Sequence, residues 1–150
     1  MSEALRTLGL GGLMVALTFG WLSIRAARVP VSSPERLIAE FRVMQIGCLL
    51  LALVAGAYLG FAAAAPARTG VGIDVLLAFV FLVVAALAQT RDPHDGLTLL
   101  ALAFAAHALV DILHRPGLLP ADIAPRWYAV GCASLNVYLG ALSYLPILKR

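Results

Sequence analysis

From Val43 to Ala67 the chain runs 25 residues without a charged side chain. As a helix that stretch is about 37 Å long, and the hydrocarbon core of a bilayer is about 30 Å thick. Inside a bilayer the backbone must satisfy its own hydrogen bonds, so a segment of this kind spans as a helix. Four further apolar runs follow the same logic. The boundaries read from the sequence are helices at about 7–24, 34–65, 72–90, 93–115 and 126–148. The fold class is therefore all-α: one polytopic transmembrane helix bundle over residues 1–150, with five helices expected. A four-helix bundle, with the first segment removed or lying in the interface, is the alternative.

Composition supports this reading. The chain is 62% hydrophobic and only 13% charged, where soluble domains are nearer half and a quarter. So little charge cannot coat a surface facing water, and the bilayer is the first partner implied. Lys149 is the only lysine. The basic residues lie in the connections and show no interleaving with aromatics, so nucleic acid is set aside.

The first run, Thr7 to Ile24, is too long for a signal-peptide core. Arg25 and Arg28 follow where a small-residue cleavage site belongs, so it reads as a retained helix. Gly12, Ala16 and Gly20 line one of its faces, and Gly56 and Gly60 form a GxxxG pair in the second helix. Such small-residue faces suit close packing, within the bundle, in a homo-oligomer or against a membrane partner. Ser33-Pro34-Glu35 and Asp92-Pro93 are helix starts with a capping side chain and proline at the first turn. Pro66, Arg68, Thr69 and Gly70 mark a connection. Arg115, Pro116 and Gly117 close the fourth helix, and Pro120 and Pro125 break the segment after it. Trp127 and Tyr128 open the fifth helix as an interfacial anchor. Asp74, in the first turn of the third helix, reads as an acid complementing the helix dipole.

Counting Arg and Lys by side gives seven on one face and four on the other. The richer side is expected to be cytoplasmic. This places the N-terminus outside, the C-terminus in the cytoplasm and the chain in the cell (inner) membrane as a multi-pass protein.

The fourth helix carries the candidate chemistry. Gly96 to Val110 is only 15 uncharged residues, about 22 Å of helix. It cannot cross without carrying Asp111 to the apolar boundary, and an ionisable residue at that depth is a functional-site hypothesis. His107, Asp111 and His114 are offset by four and seven and share one face. The fifth helix bears a matching stripe of Tyr128, Cys132, Asn136, Gly140 and Ser143. The two helices are expected to face each other, with Asn136 near His107 and Tyr128 near Asp111 or His114. The binding pocket expected in the outer half is thus His107, Asp111, His114, Asn136 and Tyr128.

Such a pocket suits a small molecule, a lipid headgroup or an ion. Imidazole and carboxylate also suit a divalent metal at His107, Asp111 and His114, and with it a membrane-embedded metal-assisted enzyme. Because the two histidines are about 10 Å apart along the axis, two of these ligands with one from another helix fit an ion better than all three. Proton handling by the His–Asp pair is a further reading. Bis-His haem needs histidines from two helices, which one chain does not offer. A structural or assembly subunit, with an Asp–His–Asn network fixing the packing, is the remaining class. Cys48 and Cys132 fall in opposite halves of the bilayer, too far apart for a disulfide.

The segment His107-Ala-Leu-Val-Asp111-Ile-Leu-His114-Arg-Pro116, followed by Pro125-Arg-Trp-Tyr128, resembles small bacterial integral membrane proteins of unknown function. These share an intramembrane His-x-x-x-Asp-x-x-His helix. The resemblance spans the last third of the chain, implies a bacterial inner-membrane location and carries no activity with it.

Overall fold

The computed structural model describes residues 3–64, 70–114, 118–119 and 123–149, with the side chains of 4, 5 and 149 left aside. The expected turn at Pro66, Arg68 and Thr69, the helix stop at Arg115, Pro116 and Gly117, and the break at Pro120 lie outside these residues. Five α-helices follow one another: α1 (Glu3–Arg28), α2 (Pro34–Ala64), α3 (Val71–Gln89), α4 (Pro93–Leu113) and α5 (Arg126–Tyr144). A short 3-10 turn at Ile147–Lys149 ends the described chain. There is no strand among the described residues.

Local chemistry sets the helix starts. The Ser33 hydroxyl accepts from the Glu35 amide at 3.3 Å, ahead of α2. The Asp92 carboxylate accepts from the amides of His94 and Asp95 at 3.0 and 3.2 Å, with Pro93 at the first position of α4. Gly70 starts α3 with φ of 89°, a left-handed conformation that glycine adopts at little cost.

Helices α1 to α4 are each long and apolar enough to cross a membrane. The protein is a multi-pass integral membrane protein. α5 is less apolar, since it carries Asn136, two serines, Trp127 and three tyrosines beside its Cys132–Asn136–Ser143 stripe. All three stripe side chains are buried. A helix with its polar groups turned inward still presents an apolar outer face, here Val130 and Val137.

α2 and α4 form the centre, with α4 packed most extensively on α5 and α2 on α3; α1 rests on α2 and α5 at the edge. The core is Phe19, Met44, Leu51, Leu97, Leu100, Phe104 and Leu139, all essentially inaccessible. Outward-facing leucines and phenylalanines such as Leu49, Leu53, Leu76, Phe79 and Leu102 cover the sides, as lipid contact requires.

Glycine permits the closest crossings. A Cβ on Gly96 would lie 2.2 Å from Met44 Sδ and 2.9 Å from the Ala88 carbonyl oxygen. The thioether can swing away, but the α3 backbone cannot. Gly140 lets α5 approach Ala101 O on α4 to 3.2 Å from where a Cβ would sit. Gly12, Gly56 and Gly60 meet nothing within 4 Å, so the GxxxG pair is not a packing contact within the described chain. Gly96→Ala is therefore expected to destabilise by about 1–3 kcal/mol, the cost of overpacking. Gly56→Ala should gain about 0.5–1 kcal/mol from backbone entropy. Unfolding of both variants in detergent micelles checks the contrast; equal effects would refute the packing assignment.

The opposite end from the candidate site is held by Arg36, 4% exposed. Its Nε donates to Glu40 Oε1 at 2.6 Å, and its Nη1 donates to the carbonyls of Ala26 and Val29 at 2.7 and 2.8 Å. Its Nη2 donates to the carbonyl of Pro146. One guanidinium thereby joins the ends of α1 and α5 to the start of α2.

Candidate functional site

Where α2 and α4 finish and α3 and α5 begin, polar side chains from all four helices converge. His107 and Asp111 are one turn apart on α4, with His107 Nδ1 3.3 Å from Asp111 Oδ2, and each residue is 2% exposed. Asn136 enters from α5. Its Nδ2 is 3.1 Å from His107 Nδ1, 3.2 Å from Asp111 Oδ2 and 3.2 Å from Cys132 Sγ. Its Oδ1 is buried without a hydrogen-bond partner. Asn136 thus lies beside His107, the neighbour expected for it.

Tyr58, on α2, completes this group, and sequence reasoning missed it. Its hydroxyl donates to Asp111 Oδ1 at 2.5 Å. The ring stands between the two histidines, with centroids 5.8 Å from His107 and 5.4 Å from His114. Tyr128, expected near Asp111 or His114, stands beside Tyr58, the tyrosine that bonds Asp111. Tyr128 packs edge-on against Phe61 at 4.8 Å and Tyr58 at 6.1 Å. A tyrosine nearly two turns from the end of a spanning helix resembles an interfacial anchor, and only the neighbouring helices reveal that Tyr58 points inward.

His114 departs from the expected metal set. Its Nε2 is 2.6 Å from Asp74 Oδ1, and its Nδ1 is 2.7 Å from the Val110 carbonyl. Both ring nitrogens are engaged away from His107 and Asp111. Asp74, 1% exposed, is thus a member of the polar cluster and more than a dipole-complementing acid. Its Oδ2 has no hydrogen-bond partner. The axial rise explains the separation: seven residues restore the face but move the side chain about 10 Å along α4, beside the first turn of α3.

The donor set that geometry brings together is His107, Asp111 and Cys132, whose ligand atoms lie within 4.8 Å of one another and are all buried. Cys132 was visible in the polar stripe of α5, but it has no cysteine or histidine at a ligand spacing to mark it as a donor. Cys48 is free and buried elsewhere in the core, and Cys132 is also free.

These donors fit a divalent cation chemically. Thiolate, carboxylate and neutral imidazole together carry two negative charges, which one divalent ion neutralises in a region that tolerates little net charge. Tyr58, donating to the second oxygen of Asp111, occupies the outer-shell position that fixes a ligating carboxylate. The cavity lined by Tyr58, Asp74, Phe81, His107 and His114 measures about 10 Å³, the scale of one water molecule.

No family model, no curated protein and no solved structure matches this chain.

Proposed function

We propose that this integral membrane protein holds a single thiophilic divalent ion, zinc in the first instance, at His107, Asp111 and Cys132 in the outer half of the bundle. The observation that carries the reading is the position of Asn136 Nδ2, within 3.1–3.2 Å of all three donor atoms. An amide nitrogen has two hydrogens and can serve at most two of them. Three donors from α4 and α5 thus surround one point that suits a cation better than an amide. The cavity beside His107 is the size of one water molecule, which suits an ion that keeps a water ligand.

In this reading the protein resides in a bacterial inner membrane. The N-terminus is outside and the C-terminus cytoplasmic, supported by the excess of Arg and Lys on the Arg36 side. The open Gly56–Gly60 face suits close approach by a second copy of the chain.

Metal analysis of protein purified in detergent from zinc-supplemented cells tests the site. About one zinc per chain is expected, falling to background in His107→Ala and Cys132→Ala. Cobalt substitution should give a thiolate charge-transfer band that Cys132→Ser removes. Wild-type protein free of metal under these conditions would sink the proposal and leave a hydrogen-bonded packing network in its place.

A further inference from the structure

α1 and α5 wall a cleft of about 820 Å³. Further along, the Tyr138 hydroxyl donates to the Ala16 carbonyl at 3.2 Å, and the Ser23 hydroxyl donates to the Leu142 carbonyl at 2.5 Å. Gly20 sits directly under Tyr138, whose Oη would be 2.5 Å from a Cβ there. The cleft is a lateral notch, closed at that crossing. Its α1 wall includes Leu8, Gly12 and Leu13, and its α5 wall includes Tyr128, Cys132 and Leu135. Gly9, Gly12 and Gly131 also border it, and a Cβ on any of them would meet nothing within 4 Å.

We propose that this notch binds one hydrocarbon chain of a membrane lipid, admitted sideways from the bilayer and seated against the Cys132 side of the polar cluster. The notch is continuous with the lipid-facing surface of α1, where Leu10, Met14 and Leu17 point outward. No charged side chain lines it among the described residues. Its volume falls in the range of sites for small organic ligands. A helix from a second copy is about 10–12 Å across, so about 820 Å³ would seat less than two turns of it, whereas a slimmer hydrocarbon chain fits that volume. The proposal is independent of the ion site, although the two share Cys132 as a boundary.

The test is native mass spectrometry of the full chain released from detergent micelles. One phospholipid is expected to stay bound to the wild type. Gly12→Leu/Gly131→Leu fills the notch and should lower the lipid-bound fraction about tenfold, equivalent to about 1.4 kcal/mol of binding. Gly60→Leu, equally open but on α2, should retain the lipid. A phosphatidylethanolamine carrying a diazirine in one acyl chain, reconstituted with the wild type, should label Leu13 and Leu135 ahead of Leu76 and Leu102. Equal lipid retention by the filled and control variants, or labelling spread evenly over the outer face, would overturn the proposal. Zinc content measured on the same samples separates its failure from failure of the ion site.

Discussion

Arg36→Met is expected to lower the stability of the bundle by about 3–5 kcal/mol, the cost of breaking a buried ion pair by removing one partner. The substitution keeps much of the side-chain volume and removes every donor. Glu40 loses its guanidinium, and the carbonyls of Ala26, Val29 and Pro146 lose theirs. A buried group left unsatisfied costs about 1–3 kcal/mol, so the carbonyls alone make the effect large. Arg36→Lys keeps the charge but should recover only a fraction, because an ammonium is a point charge and cannot span three carbonyls and a carboxylate as a planar fork does. Unfolding by a denaturing detergent, followed by circular dichroism, measures both variants. A loss below about 1 kcal/mol for Arg36→Met, the scale of an exposed pair, would show that the guanidinium does not hold the helix ends together. The zinc content of folded Arg36→Met should match the wild type, since the site lies at the far end of the bundle.

What could be read from the sequence depended on whether the signal was periodic or positional. The spanning helices were legible because their length and lack of charge leave no other solvent and no other backbone structure. The His107–Asp111 face was legible from its spacing of four, and the nearness of Asn136 followed from equal depth on antiparallel neighbours. Partners contributed by helices without a polar stripe were not legible. α2 is apolar nearly all round beyond its first turns, so nothing in its pattern turns Tyr58 inward. Helix order puts the acid in the first turn of α3 at the same end of the bundle as His114, but the dipole argument accounts for it so fully that the pairing itself was not legible. Arg36 was visible as a charge that helps set orientation. Its role at the helix ends was hidden because three of its four partners are backbone carbonyls, which any residue supplies. The GxxxG pair shows the reverse case, a sequence pattern with no neighbour in the described chain.

The separation of His114 from the ion site leads to the second large effect. His114→Ala leaves Asp74 buried, with Oδ1 losing its 2.6 Å partner and Oδ2 already without one. About 3–5 kcal/mol of stability should be lost. Asp74→Leu/His114→Leu removes both polar groups together and should fall within about 1 kcal/mol of the wild type, since replacing a buried pair by apolar residues of similar size is often neutral or better. If the pair serves only to join α3 to α4, zinc content is unchanged in this double variant, because His107, Asp111 and Cys132 are untouched. If His114 were a ligand, as its alignment with His107 and Asp111 on one helix face suggests, the double variant would be stable and free of zinc. Stability and metal content, measured on the same two proteins, therefore distinguish a ligand from a strut.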